Sequence, residues 1–223
     1  MKEKHVQLFG GCVAGICQTI VGHPFDTAKV LIQNKMNWKN LSPKEYFRGW
    51  KYPLISGIGY NILIFPIYHQ VNQKTNSPFF AGGFAGIIAS PLMYTFDVGK
   101  ILRQTNQPIN NIKQFIKTKG IYSTIARESL STSIYFGSYK TFRDYQLSPI
   151  VSGGLAGLSS WTFTYPIDVI RSRQISQNIS FMKGYHQKHL WKGFGMCALR
   201  AIIVNACVFH SFETSTSFLR ERF

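Results

Sequence analysis

Charge is missing from four long windows of the chain. No Asp, Glu, Lys or Arg occurs in 5–25, 52–73, 75–96 or 145–167, and each window is long enough to cross a hydrocarbon core about 30 Å thick. Two shorter apolar runs, 129–139 and 201–212, follow directly on Arg127-Glu128 and on Arg200. The pattern predicts six membrane-spanning helices, near 6–35, 52–72, 78–106, 121–143, 149–176 and 194–217, two of them with charge inside. The stretches 36–48, 107–118 and 177–191 read as polar connections with room for at most a short surface helix. The links at 73–77 and 144–148 are short. The fold class is an all-α membrane protein, a single domain over 1–223.

The same unit recurs at a step of 71 residues. Gly11-x-x-x-Gly15, Gly82-x-x-x-Gly86 and Gly153-x-x-x-Gly157 keep that step. Small residues four apart let two membrane helices approach closely. One such pair is chance, but three in register with a charged motif are not. That motif reads Pro24-Phe25-Asp26-Thr27-Ala28-Lys29, then Thr95-Phe96-Asp97-Val98-Gly99-Lys100, then Pro166-Ile167-Asp168-Val169-Ile170-Arg171. Each copy places a carboxylate three residues before a cation, at the end of an uncharged segment. A second half follows each: Arg48-Gly49, Lys119-Gly120 and Lys192-Gly193 each precede an apolar helix, with two extra residues in the third copy. The repeats are 5–73, 74–144 and 145–223, each a long helix, a polar connection and a second helix.

The 25 Lys and Arg against nine Asp and Glu give a formal net charge of +16. Such a charge suits nucleic acid, but it also suits one-sided loops of a membrane protein. The uncharged windows favour the membrane, and no nucleic-acid partner is expected. Lys35, Lys39, Lys44, Lys113, Lys117, Lys183 and Lys188 fall in the three connections. These should share the positive side, with both termini opposite. Cys12, Cys17, Cys197 and Cys207 lack metal spacing and read as small buried hydrophobes. No metal or cofactor is expected, and no signal peptide is recognised at the N-terminus.

The three copies of the P-x-[DE]-x-x-[KR] pattern, the second with Thr95 for Pro, are each followed by a basic-Gly turn, with an aromatic before it in the first and third, and a second helix, and they resemble the mitochondrial carrier family over nearly the whole chain. The resemblance implies a monomeric barrel of six tilted helices with threefold pseudo-symmetry, multi-pass in the mitochondrial inner membrane. It implies ion pairs between neighbouring repeats: Asp26 with Lys100, Asp97 with Arg171, and Asp168 with Lys29. The pairs form a gate that breaks and remakes in each transport cycle, rather than a set of permanent bridges. Gln33 and Gln104 match the family's glutamine braces beneath the pairs, and Ile175 stands where the third would be. Pro24 and Pro166 should kink their helices. Thr95 replaces the second proline, and its hydroxyl should bend that helix more weakly. The family's opposite gate is degraded: Tyr68-His69 with Asn72, Tyr139-Lys140 with Arg143, and Phe212-Glu213 with Thr216. The chain is therefore expected to rest open toward the side of its termini. Turns at Gly49, Gly120 and Gly193 resemble cardiolipin-binding turns, and helix N-termini suit phosphate. A plain helix start is the alternative there.

Seven residues after each turn glycine stand Ser56, Arg127 and Arg200, at one level of the expected cavity, where transporters hold substrate. Arg127 and Arg200 offer forks for a carboxylate, and Glu128 can hold an amine or quaternary ammonium. In the family, an Arg plus an acid here accompanies amino-acid and carnitine-type carriers. Gly22-His23-Pro24-Phe25-Asp26-Thr27 resembles the carnitine/acylcarnitine and ornithine-type carriers, in which the His at the place of His23 is close to substrate. A structural hydrogen bond is the equal alternative for His23. Tyr60 and Asn61, one turn past Ser56, are secondary candidates, and Tyr135 reads as packing. The expected function is antiport of an amino-acid- or carnitine-like zwitterion or cation by alternating access. The rivals are nucleotide transport and a carrier-like scaffold that no longer cycles. No nucleophile–base pair or phosphate loop suggests an enzyme.

Overall fold

A computed structural model describes residues 3–109, 117–201, 203, 204, 207 and 214. It is helical: α1 (Glu3–Gln33), α2 (Pro43–Tyr46), α3 (Lys51–Thr75), α4 (Pro78–Gln104), α5 (Ile121–Asp144), α6 (Pro149–Gln177) and α7 (Phe181–His186). A further helical stretch runs over 194–201, and most of its expected continuation lies outside the described residues. Helices were expected near 52–72, 78–106, 121–143 and 149–176; α3, α4, α5 and α6 begin and end within three residues of those limits. Two of the polar connections carry the short helices α2 and α7.

The boundaries have local causes. Ser77-Pro78 and Ser148-Pro149 open α4 and α6, with proline in the first turn, where no N–H is needed. The serine hydroxyls accept from Phe80 N–H and Val151 N–H, each at 3.4 Å. On α2, Glu45 Oε2 accepts from the Ser42 N–H at 2.8 Å and the Ser42 hydroxyl at 3.0 Å. These donors hold the Glu45 carboxyl below its ordinary pKa.

Four long helices contain proline: Pro24 in α1, Pro66 in α3, Pro91 in α4 and Pro166 in α6. The expectation for α4 rested on Thr95 alone. Thr95 Oγ1 does donate to Pro91 O at 3.0 Å. Pro91 also leaves the Ile87 carbonyl without its helical donor, and Ser90 Oγ supplies one at 2.7 Å. Ser90, Pro91 and Thr95 thus loosen one turn together.

The helices pack in sequence, α3 on α4, α4 on α5 and α5 on α6. Gly82 and Gly86 set the α4–α5 distance. A Cβ on Gly86 would stand 2.6 Å from Glu128 O and would overlap Thr132 Oγ1. The other small-residue pairs do not work this way among the described residues: no atom comes within 4 Å of a Cβ built on Gly15 or Gly157. The common spacing therefore does not mean a common use. Gly49, Gly120 and Gly193 all have positive φ, at 79°, 130° and 88°, a conformation that favours glycine. Each turn packs on the end of another long helix: Gly49 on Lys100 and Arg103, Gly120 on Ile175, and Gly193 on Lys29 and Ile32.

Large apolar side chains cover the outside, among them Ile62 (67% exposed), Ile150 and Phe163 (68%). Inside, Ser, Thr and charged residues are buried. By length and composition alone, one described helix, α4, is apolar enough to cross a membrane. The others mix Ser, Thr, Tyr, Gln or charge into the same length, which lowers their average without removing their apolar outer faces.

Gly86→Ala should lower the thermal unfolding midpoint in detergent, at a cost of about 1–3 kcal/mol for overpacking. Gly154→Ala, at an exposed helix position with no neighbour within 4 Å, should leave it unchanged or raise it slightly. Equal shifts in far-ultraviolet melting of the two variants would contradict the close α4–α5 approach.

Candidate functional site

The ends of α1, α4 and α6 bring the three charged motifs together. Lys29 Nζ lies 2.7 Å from Asp168 Oδ2, and Lys100 Nζ lies 2.9 Å from Asp26 Oδ2. Arg171 Nη1 meets Asp97 Oδ2. Each carboxylate thus pairs with a cation from a different helix, and the three pairs close a ring. The spacing of three puts acid and base on one helix face, so Arg171 Nη2 also reaches Asp168 Oδ1 at 2.9 Å within α6. Asp168 is 2% exposed. Unpaired charge so deeply buried would cost several kcal/mol.

The two glutamines behave differently. Gln33 Nε2 donates to Asp168 Oδ2 at 3.2 Å, beside the Tyr165 hydroxyl at 3.4 Å. Gln104 Nε2 instead donates to Thr27 Oγ1 at 3.0 Å. Ile175 joins Val98, Ile101 and Leu102 in an apolar cluster.

At the ring is a cavity of about 220 Å³, lined by the ring together with Ser56, Trp161, Arg127 and Arg200; Glu128, 2% exposed, does not line it. Arg200 Nε lies 2.9 Å from Asp26 Oδ1. Arg127 pairs with Glu128 through Nη1, and its Nε stands 3.8 Å from Asp168 Oδ1. Glu128 Oε1 is 3.7 Å from Arg171 Nη1. Five cations (Lys29, Lys100, Arg127, Arg171, Arg200) therefore share four carboxylates (Asp26, Asp97, Asp168, Glu128). Trp161 sits under two of the cations, with Lys29 Nζ 4.2 Å and Arg127 Cζ 5.1 Å from its ring centroid.

His23 is not among the residues lining this cavity. Its Nε2 is 2.9 Å from the carbonyl of Arg48, and its ring is tilted against Phe47. Thr27 Oγ1 donates to Tyr46 O at 2.7 Å on the same flank. Together they tie α1 to the turn at Gly49. Tyr60 and Tyr135 pack against the cluster of Ile64, Ala85, Ala89 and Phe136; the side chain of Asn61 lies outside what is described. At the far ends of the helices, Lys140 pairs with Asp144 on its own helix and Arg143 Nη1 donates to Leu147 O. Tyr68 stacks on Phe136 at 3.9 Å. Phe212, Glu213 and Thr216 lie outside the described residues.

Two residues of the site were not expected. Trp161 precedes Asp168 by seven positions, two helical turns, which could have placed it on the cavity face. Arg173, fully buried, donates from Nε to Gln33 O at 2.9 Å and from Nη1 to the carbonyls of Gly184 and Lys188, each at 3.0 Å. It fastens α7 and the end of α1 to α6. The basic residue two after Arg171 was its only signal.

Comparison with known proteins bears on this geometry. The family model described as mitochondrial carrier protein matches residues 145–223. A mitochondrial arginine transporter of Arabidopsis thaliana is 28% identical, over 93% of this chain and 88% of its own length. A mitochondrial basic amino acids transporter of Bos taurus is 26% identical, over 96% of this chain and 92% of its own. A mitochondrial carnitine/acylcarnitine carrier-like protein of Arabidopsis thaliana is 25% identical, over 98% of this chain and all of its own.

Asp168→Asn should destabilise the protein by about 3–5 kcal/mol, since it leaves buried cations without their counter-charge. Arg200→Gln, whose side chain is 27% exposed and meets one carboxylate, should cost less. Thermal unfolding of both variants in detergent checks the order, and equal shifts would contradict the shared role of Asp168.

Proposed function

The chain is a solute carrier of the mitochondrial carrier family, residing in the inner membrane, and on that premise we propose that it exchanges a basic or zwitterionic amino acid by alternating access. One observation carries the substrate class: Arg127, Arg200 and Trp161 line the small cavity at the ring, and Glu128, which does not line it, pairs with Arg127. The arginines suit a carboxylate, and Glu128 with the Trp161 ring suits an ammonium or guanidinium. The names of the arginine and basic amino acids transporters agree with this class.

The ring of pairs acts as the gate on the side of the connections. Arg200 is engaged by Asp26, and Arg127 by Glu128 and Asp168. A solute carboxylate competes with these partners, so binding loosens the ring. The opposite gate is weak, because Lys140 and Arg143 are engaged within their own segment, and the protein rests open there. Six spans in three repeats with threefold pseudo-symmetry fit the apolar outer faces of α1, α3, α4 and α6 and the cyclic pairing at the ring. The carrier works as a monomer. Cardiolipin headgroups sit at the glycine turns, where Lys117, Lys119 and Gly120 border one surface cavity and Lys188, Trp191 and Lys192 another.

Full-length protein in liposomes should take up arginine, ornithine or lysine, with carnitine as the neighbouring class, and Glu128→Gln should cut that uptake by about 10–100-fold. Thermal stabilisation by nucleotides alone would overturn the substrate class. No response and no uptake with any solute would favour the scaffold reading. Single cysteines on the two faces of solute-free protein should label faster from the side of the termini; equal rates would contradict the resting state.

A further inference from the structure

The three seams beneath the ring are held by different chemistry. Between α1 and α4 the contacts are Lys100–Asp26 and Gln104–Thr27. Between α4 and α6 they are Arg171–Asp97, the apolar packing around Ile175, and Gln107 Nε2, past the end of α4, donating to Ser176 O. Between α1 and α6 lies a ladder. Below Lys29–Asp168 and Gln33–Asp168, Asn34 Nδ2 donates to Ser172 Oγ at 3.0 Å. Asn34 Oδ1 accepts from the Ser176 hydroxyl and from Gln177 Nε2, the latter at 3.4 Å. Asn34, Ser172 and Ser176 are all buried.

The repeat step makes this uneven. Steps of 71 from Asn34 lead to Thr105 and then to Ser176. Thr105 is buried as well, but its hydroxyl turns back to Ile101 O of its own helix at 2.8 Å. Ser176 reaches across to Asn34. At this level the α1–α6 seam is cross-linked side chain to side chain, whereas α4 reaches α6 only through Gln107, beyond its end, on the Ser176 carbonyl.

We propose that Asn34 is a further brace of the ring, a positioning residue that latches α1 to α6 through Ser172 and Ser176. The α1–α6 seam then parts last, and the ring opens first along the edges of α4. What it does in a transport cycle rests on the carrier reading; its holding of the seam does not.

The test uses full-length protein in liposomes, with its native cysteines changed to serine and Met93→Cys as a reporter on the cavity wall. A membrane-impermeant thiol reagent is applied from the side of the connections. Asn34→Ala should speed labelling about fivefold or more, the effect of one lost buried hydrogen bond on the opening equilibrium. Ser172→Ala with Ser176→Ala should act similarly, and adding Asn34→Ala to that pair should add little. Thr105→Ala loses a hydrogen bond within its own helix, so it should leave labelling near the parent rate; general loosening would speed both. Labelling unmoved by Asn34→Ala, matched by Thr105→Ala, or fully additive in the combination would overturn the proposal. If no solute is exchanged yet Asn34→Ala alone speeds labelling, the latch stands and the carrier reading falls. If exchange proceeds and labelling does not respond, the latch alone falls.

Discussion

Asp168 is approached by Lys29 from α1, Arg171 from its own helix, Arg127 from α5 and the Gln33 amide. A carboxylate this buried is tolerable only while such partners surround it. Those partners come from three helices, so its requirement fixes the relative positions of three helix ends. Asp26 and Asp97 impose milder versions, with side chains 18% and 15% exposed. The apolar cluster of Val30, Val98, Ile101, Leu102 and Ile175 fills the space the pairs define. It is non-directional and could accept small slips that the charges cannot.

Positions 71 residues apart in the sequence share some features but not their contacts. Positive-φ glycine turns, opening prolines and acid–base spacing recur with the repeat. The residues between the helices do not. Where one seam has an amide latch, another has Thr105 donating back to Ile101 O of its own helix and a third has branched aliphatics. Hydrogen bonds lost on opening are replaced by bonds to entering water, whereas apolar surface gains nothing from it. Seams built from such different groups respond differently to water.

Much of this was legible in the chain. Helix ends were readable because Ser-Pro pairs, glycine turns and uncharged windows act locally. That three acid–base pairs would meet was readable from a spacing of three repeated along three helices, and which acid takes which base was what the resemblance to the mitochondrial carrier family implied. Other features depend on which neighbour a side chain meets. His23 sits three residues before Asp26, yet its ring turns to the Arg48 carbonyl rather than to the cavity. Gly82 and Gly86 touch α5, while Gly15 and Gly157 share their spacing without that contact. Arg173 and Asn34 bond to backbone carbonyls and short hydroxyls, partners too common in any sequence to single out. Pro91 and Ser90 act as a unit only once the helix register is known.

The balance of charge in the cavity limits what can enter it. With five cations and four carboxylates in contact, each of the four carboxylates is already engaged by a cation of the protein. An incoming ammonium must displace Lys29, Arg127 or another resident cation. An incoming carboxylate meets the one surplus positive charge. A solute bearing both groups can do both at once: its carboxylate takes an arginine, and the carboxylate that arginine leaves takes its ammonium. The exchange keeps every buried charge paired throughout. A purely cationic solute would have to separate a resident pair before its own attraction could compensate, so the zwitterionic end of an amino acid is the part this arrangement of residues is best fitted to accept.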